Sequence, residues 1–184
     1  MSEKAKLISK EILEWVISIS LAFAIAFLLR SYAFTLVEVR GASMENTLGD
    51  KDRLFVNRLM YHPKNGDIVV LKPPHGAELY IKRVIAIGGQ KIDIDYDKNQ
   101  VYIDGALLEE PYLKEKNLVK DPRYDIPIPT TIPEGSVFVM GDNRNNSRDS
   151  RYSDVGIIEN GKILGKAVLR VWPFGKFGNL YEKQ

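Results

Sequence analysis

The sequence contains no cysteine and only two histidines, His62 and His75. The lack of cysteine excludes a thiol nucleophile, a disulfide framework and a cysteine-ligated metal site. Two scattered histidines are too few for a metal cluster, so we expect neither a metal centre nor a cofactor. The chain also lacks a large excess of positive or negative charge, because it has 26 basic and 24 acidic residues. This balance argues against a nucleic-acid-binding surface, and we expect no nucleic-acid partner.

The hydrophobic pattern predicts a mainly β domain. With 45% hydrophobic content, 184 residues can bury one sizeable core and a small appended region. From Arg53 onward, short alternating or wholly apolar segments are separated by turn sequences such as Asn65-Gly66-Asp67 and Asp104-Gly105. The stretch between Pro111 and Pro133 is polar and rich in proline, which indicates an excursion from the core.

The sequence contains one long apolar run, the uncharged stretch Trp15 to Leu29. A membrane helix needs about 20 residues, and extension to residue 37 supplies them. Lysines before the run favour a cytoplasmic amino end. The sequence therefore predicts a cytoplasmic segment 1–14, a transmembrane anchor 15–37 and an extracytoplasmic domain 38–184. A cleavable signal peptide and an amphipathic or buried helix are the alternatives, although bulky residues after the run are untypical of a cleavage site.

A candidate nucleophile follows a break of small residues. Gly41 and Ala42 come directly before Ser43, so a substrate backbone could approach the hydroxyl and amide of Ser43 closely. A strand that merely enters a turn would look the same. A serine hydroxyl also needs a base before it becomes a useful nucleophile.

The candidate base is Lys82, in the alternating strand Tyr80 to Ile85. Apolar neighbours surround it, and desolvation can lower the pKa of a lysine from about 10.4 by several units. An ordinary lysine that extends from a half-exposed strand is the alternative.

A polar loop, Gly141 to Arg151, follows the buried strand Val137 to Met140. Asp149 with Arg151 or Arg148 could hold its shape, while Ser147 could orient another group. A solvated surface loop is the alternative.

Four motifs in order resemble the bacterial type I signal peptidases, in particular their short Gram-positive form. These are membrane-anchored Ser/Lys proteases that remove signal peptides from exported proteins. The motifs are Gly41-Ala42-Ser43-Met44-Glu45-Asn46-Thr47-Leu48, Gly66-Asp67-Ile68-Val69-Val70, Tyr80-Ile81-Lys82-Arg83-Val84-Ile85 and the complete G-D-N-R-x-x-S-x-D-S-R of Gly141 to Arg151.

The resemblance implies a role for each site residue. Ser43 would be the nucleophile and Lys82 the general base. Ser147 would orient the lysine, with Asp149 and Arg151 supporting the site. The Ser43 amide would donate to the oxyanion, whereas Gly41 stands where some members place a second, side-chain donor.

The resemblance also implies the surroundings of the enzyme. The fold would be a mainly β catalytic domain with a β-rich insertion at about 91–133. Signal peptides, membrane lipid and the export machinery would be partners at the cell membrane.

The sequence departs from the family pattern at several positions. Asn46 replaces the usual proline, and Ala86, Gly88 and Gln90 replace the usual glycine, proline and aspartate, which affects groove geometry and efficiency. The remaining alternatives are another Ser/Lys protease, a histidine-based variant, and an inactive relative that only binds exported chains.

Overall fold

The computed structural model describes residues 3–76, 78–113, 115–128 and 130–181, without the side chains of 3–9 and 28–31. Within these residues the chain forms one α-helix and twelve strands. They are α1 (Glu3–Ala33), β1 (Phe34–Glu38), β2 (Arg53–Asn57), β3 (Ile68–Leu71), β4 (Tyr80–Ile87), β5 (Lys91–Asp95), β6 (Gln100–Ile103), β7 (Ala106–Leu107), β8 (Thr130–Thr131), β9 (Ser136–Met140), β10 (Ile158–Glu159), β11 (Ile163–Trp172) and β12 (Gly178–Asn179). The predicted mainly β fold is confirmed.

The larger sheet carries the candidate catalytic strands. Its order is β1-β2-β11-β3-β4-β9-β10, and β12 adds to β11. All neighbours are antiparallel. Strand β3 lies between β11 and β4 and is buried along its whole length, as its continuous apolar sequence predicts. Strand β1 is an edge, so one side of its backbone is free to pair.

The smaller sheet has the order β7-β6-β5-β8 and lies between residues 91 and 131. This range falls within the segment predicted as a β-rich insertion. Its inner face packs with β9 through a cluster that includes Ile92, Val101 and Phe138. The smaller sheet therefore shares a core with the strand that leads into the polar loop at Gly141.

The amino-terminal helix ends earlier than the predicted anchor. Residues 34–37 belong to β1, where Thr35 and Val37 are β-branched and the backbone pairs with β2 from Phe34 onward. Every side chain from residue 10 to residue 27 is exposed. Among the residues that the structure describes, no helix contains a stretch long and apolar enough to cross a membrane.

Candidate active site

Ser43 and Lys82 meet although 39 positions separate them along the chain. Lys82 Nζ donates a hydrogen bond of 2.7 Å to Ser43 Oγ. Lys82 is the third residue of β4 and is only 4% exposed. Ser43 lies in the turn that follows β1 and is half-buried. The arrangement pairs a serine hydroxyl with a desolvated amine, which is what nucleophilic attack by serine requires.

The pKa of Lys82 falls to about 8 because burial disfavours the ammonium form. The negative charges of Asp149 and Asp142 oppose this shift, and Arg151 adds to it. A pKa of about 8 leaves roughly a tenth of the lysine neutral at pH 7, compared with about one part in several thousand for an ordinary lysine. The amine can therefore act as a base near neutral pH.

A buried ion pair forms the back of the site. Both Asp149 and Arg151 are almost inaccessible, and Arg151 Nε donates to Asp149 Oδ1 at 2.8 Å. The second carboxylate oxygen accepts from the Gly141 amide at 3.0 Å. Burial alone would raise the pKa of Asp149, but the charge and hydrogen bonds of Arg151 hold it below its usual value. This pair ties together the loop that lies beside Lys82, and its support of catalysis stays a prediction.

A second ion pair, between Arg83 and Asp142, connects the nucleophile turn to β4. The sequence alone gave this pair no role. Arg83 contacts both oxygens of Asp142, at 2.8 and 2.6 Å. Thr47 Oγ1, from the nucleophile turn, donates to Asp142 Oδ2 at 2.5 Å. The one sequence feature that could have pointed to this pair is the position of Arg83 directly after the candidate base.

The nucleophile turn is held by apolar anchors and by the polar loop. Met44 and Leu48 are each 1% exposed in the core beneath the turn. Burying each such side chain contributes about 1.5 to 3 kcal/mol. The backbone N–H of Asn143 donates to the Ser43 carbonyl, and its side-chain Nδ2 donates to the Ala42 carbonyl, both at 3.1 Å. The backbone on both sides of the Ser43 nitrogen is therefore fixed.

Glycine is required at position 141 of the polar loop. A Cβ atom there would overlap the Ser43 carbonyl oxygen and Ser147 Oγ. Ser147 itself is buried, and its hydroxyl has no hydrogen-bond partner among the described residues. Its predicted action on Lys82 therefore stays a prediction.

The predicted oxyanion site depends on which backbone amides near Ser43 are free to donate. No hydrogen bond among the described residues occupies the Ser43 amide. Gly41 has a φ of +80°, which glycine adopts at little cost, and its amide donates to Asp50 at 2.9 Å. The Ser43 amide thus remains available to a substrate, whereas that of Gly41 is occupied.

Asn46 adopts a backbone conformation that proline cannot reach. Its φ is +88°, whereas the proline ring fixes φ near −65°. Asparagine tolerates this left-handed region better than most residues. Asparagine at this position is therefore compatible with the observed turn, whereas proline is not.

A groove of about 580 Å³ opens beside Ser43 and Lys82. One wall is β1 with its extension to Arg40, and the other is residues 78–82 at the start of β4. Leu36, Val37 and Ile81 give it apolar surface. Among the described residues, no three acidic or histidine side chains come together as metal ligands.

Comparisons with known proteins find one family. The model of the family "Signal peptidase, peptidase S26" matches residues 12–172. "Signal peptidase IB" of Staphylococcus aureus strain COL is 38% identical over 183 residues, covering 91% of this chain and 93% of that protein. "Signal peptidase I" of Bacillus amyloliquefaciens is 37% identical over 183 residues, covering 95% and 96%.

A solved structure also resembles the chain. It is a crystal structure of a signal peptidase I from Enterococcus faecalis V583, with 30% identity and a TM-score of 0.48. The match covers 58% of this chain and 97% of that one.

Proposed function

Given that the chain belongs to the signal peptidase family, peptidase S26, and is a serine endopeptidase of the signal peptidase I type, we propose that it removes signal peptides from exported preproteins with Ser43 and Lys82. The observation that carries the proposal is the 2.7 Å contact between Ser43 Oγ and the buried Lys82 Nζ. Neither group would be reactive alone at neutral pH.

The reaction starts from neutral Lys82. As Ser43 Oγ attacks the scissile carbonyl carbon, its proton passes to Lys82 Nζ, and the Ser43 amide donates to the developing oxyanion. The lysine then gives the proton to the leaving amine, which leaves the signal peptide as an ester on Ser43. A water molecule hydrolyses this ester, with Lys82 as the base once more. These steps require only Ser43, Lys82 and a water molecule.

The substrate adds as an extended strand along the groove. The free edge of β1 offers backbone donors and acceptors, and such strand addition is a general mode of peptide recognition. The small residues beside Ser43 bring the substrate backbone close, so small side chains near the scissile bond are preferred. Asn46, Ala86, Gly88 and Gln90 are not among the residues that line this groove, and none of them is a reacting group.

The same proposal includes attachment to the membrane through α1. Its exposed side chains include Trp15, Phe23 and Phe27, which are 69%, 74% and 71% exposed. Trp172, Phe174 and Phe177 form a second exposed aromatic cluster, at 45%, 75% and 62%. The amino terminus would be cytoplasmic, the β domain extracytoplasmic, and lipid and the export machinery partners.

The experiment that tests the function is cleavage of a purified preprotein by the full-length chain in detergent. We expect a product whose new amino terminus, read by sequencing, follows a small residue. Ser43→Ala should bind the preprotein and release no product. Binding without cleavage by the unaltered chain would instead identify an inactive relative, and cleavage after bulky residues would contradict the proposed specificity.

A further inference from the structure

We propose that Glu110 and Tyr112 are positioning residues that hold the Ser43 and Lys82 dyad in its reactive geometry. Both lie in the segment between β7 and β8, which no feature of the sequence connects with catalysis. The inference rests on the proposed function of the dyad. It assigns to this segment an indirect part in the reaction, through the residues that hold the dyad, instead of a purely structural one.

Glu110 reaches the nucleophile through Arg144 and Gly141. Arg144 Nη1 donates to Glu110 Oε2 at 2.9 Å, and Nη2 contacts Oε1. Arg144 Nε donates to the Gly141 carbonyl at 3.1 Å, while the Gly141 amide donates to Asp149. Gly141 is therefore fixed on both sides where it packs against the Ser43 carbonyl. The carboxylate of Glu110 orients the arginine that completes this clamp.

Tyr112 reaches the base through Arg83. The centre of its ring lies 3.9 Å from the Arg83 guanidinium carbon, a close stacking contact. Arg83 follows Lys82 in β4 and contacts Asp142, which also holds Thr47 of the nucleophile turn. The Tyr112 hydroxyl in turn donates to Glu110 at 2.8 Å. The two residues thus act as one unit on both halves of the dyad.

The burial of the two arginines explains why this unit matters. Arg83 and Arg144 are 5% and 2% exposed, so each guanidinium depends on protein partners instead of water. Removing the Glu110 charge leaves Arg144 buried without its counter-charge, and it must move or draw in water. Neither Glu110 nor Tyr112 lines the substrate groove. A change in either should therefore affect the chemical step more than substrate binding.

The test is single-turnover cleavage of a fluorogenic peptide with saturating full-length enzyme in detergent. At saturation the rate constant reports the chemical step of folded enzyme and is insensitive to an unfolded fraction. We expect Glu110→Gln and Tyr112→Leu to lower this constant at least about tenfold, since small displacements of reacting groups are costly. The apparent affinity for the peptide should change less than about threefold.

Matched variants separate positioning from stability. Tyr112→Phe keeps the ring beneath Arg83 and should recover much of the rate lost in Tyr112→Leu. Glu109→Gln makes the same chemical change at the exposed neighbouring residue and should retain the unaltered rate. Thermal unfolding of each variant is recorded in parallel. If Tyr112→Leu does not fold, the comparison of Glu110→Gln with Glu109→Gln decides the matter.

A lower unfolding temperature with an unchanged saturating rate constant would overturn the inference, because the residues would then only stabilise the fold. Equal losses in Glu109→Gln and Glu110→Gln would overturn it as well. Failure of the proposed function looks different: the unaltered enzyme would then not cleave the peptide, or Ser43→Ala would cleave it equally well.

Discussion

Replacing Lys82 with methionine should stabilise the folded enzyme at neutral pH while abolishing cleavage. Burial lowers the pKa of Lys82 from 10.5 to about 8. At about 1.4 kcal/mol per pH unit, the charged side chain therefore costs the folded state about 3 kcal/mol. Methionine keeps the apolar stem without the charge. Loss of the hydrogen bond to Ser43 cancels about 1 kcal/mol of this gain, so the free energy of unfolding should rise by about 2 kcal/mol.

The pH dependence of this gain has a defined sign. Below pH 8 the lysine is charged in both the folded and the unfolded state, so the folded state bears the full cost. Between pH 8 and 10.5 the unfolded chain binds more protons than the folded one. The stability of the unaltered enzyme therefore rises with pH through this window. The advantage of Lys82→Met should shrink accordingly and be lost near pH 10.5.

The assay is urea unfolding of full-length enzyme and variant in detergent, at pH 6.5 and at pH 10.5, with peptide cleavage measured on the same samples. Lys91→Met, at an exposed position of β5, is the matched control and should change the free energy of unfolding little at either pH. A less stable Lys82→Met at pH 6.5, or a difference that does not change with pH, would refute the reasoning.

Three further predictions concern the turn, the loop and the amino-terminal segment. Asn46→Gly should retain activity in a peptide cleavage assay, whereas Asn46→Pro should lower kcat because proline cannot adopt a φ of +88°; equal activity would contradict the observed turn. Ser147→Ala should not lower the unfolding temperature, since its buried hydroxyl has no partner among the described residues, and should reduce kcat less than Ser43→Ala; a loss of kcat as large as that of Ser43→Ala would make Ser147 essential. Deletion of residues 1–33 should preserve peptide cleavage and slow cleavage of membrane-embedded preproteins, whereas deletion of 1–36 should also impair peptide cleavage, because it removes part of β1 and Leu36 from the groove; equal peptide activity of the two truncations would exclude that role of β1.

The sequence was sufficient to predict many of the local elements, and it singled out two side chains, Ser43 and Lys82, that the structure brings into contact. The strand Ile68–Leu71 carries a continuous apolar pattern, and the strand predicted at Tyr80 to Ile85 extends two residues further, to Ile87. Ser43 and Lys82 were singled out by small residues and by apolar neighbours. Such signals are local, so each could be read from a few consecutive residues.

The connections between distant segments could not be predicted from local pattern. Nothing near Glu110 indicates that it faces Arg144, which is 34 positions away. The start of β1 was also missed, because Phe34 to Val37 is apolar enough to continue a helix and only pairing with β2 makes it a strand. The secondary structure of residues 34–37 is therefore determined by pairing with β2 and not by their composition.

The dependence of kcat/KM on pH tests the Ser43 and Lys82 dyad most directly. With a Lys82 pKa of about 8, kcat/KM for a peptide should rise about tenfold from pH 7 to pH 9 and then level off. Lys82→Arg should be inactive throughout, because arginine stays protonated, and His75→Ala should keep the profile of the unaltered enzyme. Substantial activity of Lys82→Arg, or a limb that disappears in His75→Ala, would contradict the dyad.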